Sequence, residues 1–203
     1  MVLLKWSIPM DQLEEIYQLI KQGNSYLESP HTDLVESYFS DAWIGIKQYL
    51  KEQKLQDYHE IDEDGILSNF INNQCSILFS FGYYEHAIDF ANDVLATLQL
   101  NQDERLDFKK HIADAHYFLD DRKQAIHLYQ EYLKQYPNHP SLLYGLALLY
   151  FRLKEYPLAI EHFKQVASLE DTFFKDAAIE MLIECYQEVN DYEKQQEITS
   201  MKH

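Results

Sequence analysis

Residues 155–163, EYPLAIEHF, place an alanine in the middle of an apolar helical stripe. Tyr156 comes three residues before Ala159 and Phe163 comes four residues after it, which is the spacing of one helix face. A larger side chain at this place would bury more apolar surface. A small residue here therefore favours a second helix that packs close against the first.

The same Ala-Ile pair recurs upstream in the chain. The pair that begins at Ala125 lies 34 residues before the pair at Ala159, and the pair at Ala87 lies 38 residues before Ala125. Each pair opens an amphipathic segment, and a second helical segment precedes it. That preceding segment carries a small residue at the same distance upstream each time: Cys75, Ala113 and Ala147. Repeated helix pairs with small contact residues can stack side by side into an array.

This pattern resembles the tetratricopeptide repeat, in which two helices carry large, small and aromatic residues at set places. The best copy holds Leu146, Ala147, Tyr150, Ala159 and Phe163 at these places. The resemblance covers about residues 64–200, is clearest in the two middle copies and is weaker at both ends. It implies an all-α, right-handed superhelical solenoid of antiparallel helix pairs with about ten helices.

The first part of the chain fits the repeat poorly. We expect one helix over about residues 11–22 that ends at Gly23, a long helix over about residues 30–53, and then a solvated acidic connector. Residues 1–63 are thus predicted to be a divergent N-terminal helical segment, which is either a degenerate repeat or a cover for the groove. Residues 64–203 are predicted to hold three to four repeats.

The sequence offers little sign of catalysis. It lacks the phosphate-binding, zinc-protease and hydrolase motifs, and it has five glycines in all. In HIADAH, His111 and Asp114 could share a helix face, but His116 falls five residues after His111 and points elsewhere. We predict a non-enzymatic protein with no catalytic residue, no metal and no cofactor.

The chain shows no sign of export or membrane insertion. The N-terminal apolar run is broken by Lys5, Ser7 and Pro9, and no window approaches 18 uninterrupted apolar residues. Cys75 and Cys185 fit no metal or redox spacing, so we interpret them as buried small residues in a reducing compartment. These features predict a cytoplasmic protein that does not contact a membrane.

The resemblance also implies a binding groove on the first helix of each pair. Three places per copy would line it: Asn72, Ser76 and Phe79, then Lys110, Asp114 and Tyr117, then Tyr144, Leu148 and Phe151. The aromatic members would form an apolar strip among polar groups, which suits a peptide or a partner helix. The alternative is that these aromatics pack on the next repeat, or on the N-terminal helices folded into the groove.

Charge is unevenly distributed along the chain. The formal net charge is −17, and between Lys54 and Arg105 there are ten acidic residues and no lysine or arginine. Residues 105–170 carry nine basic and eight acidic residues. An acidic region repels nucleic acid and attracts basic proteins, although acidity can also serve solubility alone. The predicted acidic docking surface consists of Glu85, Asp89 and Asp93.

The sequence therefore predicts a scaffold or adaptor that binds a peptide or helix of another protein in a concave groove. The alternative is an acidic inhibitor or immunity-type protein that masks a basic partner protein. The two differ in their ligand, because an adaptor binds an extended segment whereas an inhibitor binds a folded basic protein with salt-sensitive association.

Overall fold

The computed structural model describes residues 10–62, 64–170 and 173–201. These residues form ten α-helices and a 3₁₀ turn at Tyr58–Glu60, and no β-strand occurs among them. The helices are α1 (Met10–Ser25), α2 (Thr32–Gln53), α3 (Ile66–Ser80), α4 (Tyr84–Thr97), α5 (Gln102–Phe118), α6 (Arg122–Gln135), α7 (Pro140–Arg152), α8 (Tyr156–Ser168), α9 (Lys175–Glu188) and α10 (Tyr192–Met201).

The chain divides into two compact units. Unit 1 is Met1–His111 and unit 2 is Ile112–His203, with α5 crossing the boundary. In unit 1, α1 packs on α2, α2 on α3 and α3 on α4. In unit 2, α6 packs on α7, α7 on α8, α8 on α9 and α9 on α10. The predicted all-α fold of helix pairs is confirmed.

One turn recurs between the two helices of each predicted copy. A residue with positive φ ends the first helix, and the next residue donates its N–H to the carbonyl five positions back, as in a Schellman motif. The positive-φ residues are Gly82, Asp120, Lys154 and Asn190. The hydrogen bonds run from Tyr83 to Leu78, Asp121 to His116, Glu155 to Tyr150 and Asp191 to Tyr186, each at 2.9 Å. The repeat register therefore extends to α9 and α10, where the resemblance in sequence is weaker.

An aromatic cluster fills the interior of unit 1. Trp43 meets Phe90 at a ring distance of 4.9 Å, and Phe70 meets Phe39 at 5.3 Å and Phe90 at 6.4 Å. All four rings are almost fully buried. Edge-to-face contacts of this kind join α2, α3 and α4 into one core.

The prediction that the first helix ends at Gly23 is wrong. Helix α1 continues to Ser25, and a Cβ built at Gly23 would lie 2.3 Å from Cε1 of Phe39. The glycine therefore lets α2 approach α1 closely and does not stop the helix. Sequence alone cannot separate these two uses of glycine, because the close neighbour comes from another helix.

The acidic segment after α2 is more ordered than a solvated connector. Tyr58 and Ile61 are buried, and the backbone N–H of Tyr58 donates to the carbonyl of Gln99 at 3.2 Å. The carboxylate of Asp62 accepts from the backbone N–H of Leu67 at 2.7 Å in the first turn of α3. The segment thus caps α3 and adds apolar residues to the core.

Unit 2 has closely fitted helices. The side chains of Ala125, Ala147, Ala159 and Phe163 are fully buried, as the repeat pattern predicts. The small residues on adjacent helices let the helix axes approach, and the aromatic ring fills the space between them. Consensus residues of the repeat therefore act here as packing residues.

A buried tyrosine of α6 is bonded to α5 and packs against α7. Tyr129 is fully buried, and its hydroxyl donates to Oδ1 of Asp114 at 2.7 Å. Burial, and then the charge of Asp114, raise the pKa of Tyr129 well above its ordinary value. A Cβ at Gly145 would lie 2.4 Å from the Tyr129 hydroxyl oxygen, so this place in α7 requires glycine.

Candidate functional site

Unit 1 contains a cleft between α1 and α3, which are the first helices of their pairs. We name it the α1–α3 cleft, and its volume is about 550 Å³. It is lined by Ile20, Asn24, Leu27, Ile66, Asn69, Phe70, Asn73, Ser76, Ile77 and Ser80. A volume of this size is in the range of sites that hold a small ligand or part of a peptide.

Uncharged polar groups surround an apolar floor in the α1–α3 cleft. Phe70 and Ile20 are buried, whereas the side chains of Asn24, Asn69 and Asn73 are exposed. None of the ten lining residues carries a charge. Asparagine amides both donate and accept, so they can pair with peptide N–H and C=O groups at the same time. The cleft suits a peptide backbone with an apolar side chain better than a charged ligand.

The predicted groove residues of the first copy are divided between the two flanks of α3. Ser76 lines the α1–α3 cleft, whereas Asn72 lines a second cleft of about 350 Å³ together with Tyr58, Glu104 and His111. Phe79 is half-buried, with its ring 5.8 Å from that of His111 and 5.5 Å from that of Tyr84. Lys110 is also half-buried.

Two asparagines of the α1–α3 cleft are not among the groove residues predicted from the sequence. Asn69 and Asn73 are four residues apart and share a helix face with Ser76 and Ser80. That polar stripe is visible in the sequence. Whether the stripe lines a cleft depends on where α1 lies relative to α3, and only the tertiary structure shows this.

Two predicted groove residues at the start of unit 2 already have partners. Asp114 accepts the hydrogen bond from the buried hydroxyl of Tyr129, so its carboxylate helps to hold the interior of the unit together. Tyr117 is half-buried, and the guanidinium carbon of Arg152 lies 5.5 Å from its ring centroid. This is a cation–π geometry, which is weak at exposed sites.

The predicted groove residues of α7 are half-buried against neighbouring aromatics. Tyr144 lies 5.6 Å from the ring of Phe163 and 5.2 Å from that of Phe174. Phe151 lies 5.7 Å from the ring of Tyr156, and Leu148 is likewise half-buried. Each of these side chains keeps part of its surface accessible, whereas Tyr150 on the packing stripe is 7% exposed.

The acidic residues of α4 differ in their surroundings. Glu85 and Asp89 are exposed, whereas Asp93 accepts from Nζ of Lys47 at 2.5 Å and from Nε1 of Trp43 at 3.1 Å. The hydrogen bond from Lys47, aided by that from Trp43, lowers the pKa of Asp93. Asp93 therefore stays ionised to a lower pH than an isolated aspartate.

Both cysteines are fully buried and free, one in each unit. Burial raises the pKa of Cys75 to about 12 and that of Cys185 to about 12. Thiols with such pKa values carry almost no thiolate at neutral pH, so neither is a nucleophile in the folded chain. Within the described residues, no helix combines the length and the apolar character needed to cross a membrane.

The family profile of the tetratricopeptide repeat matches residues 112–171. This match covers the second copy and the third, where the repeat pattern is clearest. No curated protein matches the sequence. The assignment of tetratricopeptide repeats to this chain therefore rests on that region and on the fold.

Solved structures with the same fold cover almost the whole chain. A MamA protein has a TM-score of 0.54 at 15% identity, and the alignment covers 92% of this chain and 89% of that one. Nearly identical TPR-like repeats from Podosopora anserina have a TM-score of 0.54 at 15% identity, covering 95% and 94%. A tetratricopeptide repeat protein from Parabacteroides merdae has a TM-score of 0.55 at 16% identity, covering 93% and 66%. At these identities the comparison shows the fold, which is that of a tetratricopeptide-repeat solenoid.

Proposed function

We propose that this tetratricopeptide-repeat chain is a non-enzymatic scaffold that binds an uncharged peptide segment of a partner protein in the α1–α3 cleft. The tetratricopeptide fold is in general a protein-interaction scaffold, because stacked helix pairs present extended concave surfaces. The peptide ligand and its binding in the α1–α3 cleft are our proposal.

The observation that carries the proposal is the composition of the α1–α3 cleft. Its apolar floor at Ile20 and Phe70 can take an anchoring side chain, and the amides of Asn69 and Asn73 can pair with the peptide backbone. The amide of Asn73 donates to the backbone carbonyl of Asn69 at 2.8 Å, which holds it on the rim. A pre-positioned amide loses less side-chain freedom when a peptide binds.

In unit 2 we propose the accessible parts of the α7 aromatics and their neighbours as further peptide contacts. Their half-burial holds each ring in one orientation, which limits the entropy lost when a partner covers the rest. These contact residues are Tyr117, Tyr144, Leu148 and Phe151.

Panning a phage library of random 12-residue peptides against the full chain tests the proposal. The enriched peptides are synthesised, and their affinities are measured by fluorescence polarisation. We expect Asn69→Ala and Asn73→Ala each to weaken binding by about tenfold, the usual effect of losing hydrogen bonds in a desolvated site. The matched control is Asn92→Ala, because Asn92 is exposed on α4 and lines no cleft described above.

Enriched peptides that bind the cleft variants as tightly as the wild-type chain would exclude the α1–α3 cleft. A panning experiment with no enrichment over an unrelated protein would exclude peptide binding as the function. Urea melts of each variant check that a loss of affinity is not a loss of folding.

The inhibitor hypothesis is the second candidate, and the exposed carboxylates of Glu85 and Asp89 favour it. They belong to the stretch between Lys54 and Arg105 that has no lysine or arginine. A folded basic partner would associate quickly, and its rate would fall steeply with added salt. A salt-independent association rate for the natural partner would exclude this candidate.

A further inference from the structure

A second pocket of unit 1 lies between α2 and α4, with α3 at its base. We name it the α2–α4 pocket. Its volume is about 310 Å³, and it shares no lining residue with the α1–α3 cleft. Its walls include the buried rings of Trp43 and Phe90 and the exposed side chain of Ile44. The peptide-binding function therefore does not account for it.

Acidic groups surround this aromatic pocket. Glu36, Asp89 and Asp93 line it, and the basic groups among its lining residues are Lys47 and the imidazole of His86, which lies 3.8 Å from Glu36. With the histidine neutral, the lining carries three negative charges and one positive charge. Charge complementarity favours a cationic ligand.

A buried amide at the base of the pocket lacks a hydrogen-bond partner. Gln74 lines the pocket and is 3% exposed, and its Oε1 has no partner among the described residues. An unpaired buried acceptor has lost its hydrogen bonds to water without a replacement, so such atoms are rare in folded proteins. A ligand that brings an N–H donor to Oε1 would remove this penalty. The repeat pattern has leucine at this place in the third copy, as Leu146 shows.

A lysine of the chain already shows how a cation can bind at this pocket. The ammonium group of Lys47 is bonded to Asp93 and lies 5.7 Å from the ring centroid of Trp43. A cation thus already occupies the rim of the pocket, between a carboxylate and an aromatic face. It does not satisfy Oε1 of Gln74 at the base.

We propose that the α2–α4 pocket binds an arginine side chain of a partner protein. The guanidinium group is planar and has five N–H donors, so one group can stack on Trp43 or Phe90 and donate to both a carboxylate and Gln74. The aliphatic part of the side chain would pack on Ile44. A lysine ammonium has three donors on one atom and fits a site with separated acceptors less well.

The probes for the test are N-acetyl-arginine-N-methylamide and the corresponding citrulline compound, titrated into the full chain. Citrulline has nearly the same shape and no charge. The indole N–H signal of Trp43 in NMR spectra is the reporter, and Trp6→Phe assigns it because the chain has two tryptophans. We expect a saturable shift with the arginine probe, with a dissociation constant on the order of 1 mM. The citrulline probe should bind at least about tenfold more weakly, as expected for loss of a desolvated charge pair.

Three variants locate the site. Asp89→Asn and Gln74→Leu should each weaken binding by about fivefold, the scale of one ion pair or one hydrogen bond. Glu85→Gln is the matched control, because Glu85 is an exposed acid of the same helix that does not line the pocket. It should change the affinity by less than about twofold, since salt screens distant charges.

Removing Lys47 tests whether its ammonium group competes with the arginine probe or helps the probe to bind. Lys47→Met frees the carboxylate of Asp93, so we expect the arginine probe to bind about threefold more tightly or better. Weaker binding to this variant would overturn the proposal that the guanidinium group donates to a carboxylate of the pocket. Equal binding of the arginine and citrulline probes, equal effects of Asp89→Asn and Glu85→Gln, or no saturable shift of the Trp43 signal would each overturn the proposal. Urea melts of Gln74→Leu check that weaker probe binding is not caused by loss of folding. We expect this variant to fold at least as well as the wild-type chain.

Discussion

Unit 1 and unit 2 use the same helix-pair plan with different interiors. In unit 2 the aromatic places of the repeat hold Tyr129 and Phe163, and both rings are fully buried. In unit 1 the corresponding place holds Ala91, and the ring of the preceding residue, Phe90, forms a wall of the α2–α4 pocket instead. The α2–α4 pocket thus lies in a copy whose residues depart from the repeat pattern.

The difference shows what the repeat pattern encodes. The large and small residues of the pattern fill the space between helices. A copy that keeps them, such as α7 with α8, therefore has a densely packed interior. The copy that holds Gln74 in place of leucine keeps the backbone plan, and Gln74 lines the α2–α4 pocket. The best-matched region is therefore a poor guide to the two sites that we propose.

Removing the aromatic ring at the centre of unit 2 should have the largest effect. Phe163→Ala should lower the free energy of unfolding by about 3–5 kcal/mol, because the ring is fully buried and leaves a large cavity. Phe151→Ala is the control in the same unit and should have a much smaller effect, since Phe151 is half-buried. Urea melts measure both, and equal losses would mean that Phe151 belongs to the interior and is not a binding contact.

Enlarging the small packing residues should have the next largest effect. Ala159→Leu should destabilise the chain by about 1–3 kcal/mol through overpacking, because Ala159 is fully buried. Ala125→Leu in unit 2 and Ala87→Leu in unit 1 should behave alike, since both positions are almost fully buried. If thermal melts of all three variants lie within a degree of wild type, the small residues do not set the helix separation.

Each unit has a helix glycine beneath an aromatic ring, and the two can be compared directly. Alanine normally stabilises a helix relative to glycine by about 1 kcal/mol. We expect the reverse here, a loss of about 1–2 kcal/mol for Gly145→Ala and Gly23→Ala, because the new Cβ would overlap Tyr129 and Phe39 respectively. Adding Phe39→Leu to Gly23→Ala should recover part of the loss in urea melts. No recovery would show that backbone strain, and not the ring, causes it.

The smallest expected effect is electrostatic and belongs to unit 1. The pKa of Asp93 is lowered in the folded state from its ordinary value of 3.8, so its ion pair with Lys47 stabilises the fold above that pH. The contribution should be lost as pH falls through the lower pKa of the folded state. It should stay below about 1 kcal/mol, because the Asp93 side chain is 48% exposed and solvent screens the pair.

Urea melts between pH 7 and pH 2.5 compare wild type with Asp93→Asn. The difference should be constant near neutral pH and should vanish in acid. Lys47→Met should remove the same pH-dependent difference, since it deletes the other partner. A difference that persists unchanged at the lowest pH would assign the stability to the neutral hydrogen bond from Trp43.

Much of the fold could be predicted from the sequence, because the signals for it are local. The spacing of Ala87, Ala125 and Ala159 identifies the second helix of three pairs, and the structure has α4, α6 and α8 at these places. The apolar period of a helix and the residues that end it act within one or two turns. The sequence by itself therefore determined the all-α class, the helix pairs and their register.

The site was decided by contacts between segments far apart in the chain. Asn73 and Asn72 are adjacent in sequence, yet they line different clefts because α1 lies on one flank of α3 and α5 residues on the other. Gly23 continues a helix because Phe39 approaches it, and Gln74 points to a ligand because it is buried without a partner. Only the tertiary structure decided these roles, since burial and the partners of a polar group depend on neighbouring helices that local periodicity does not specify.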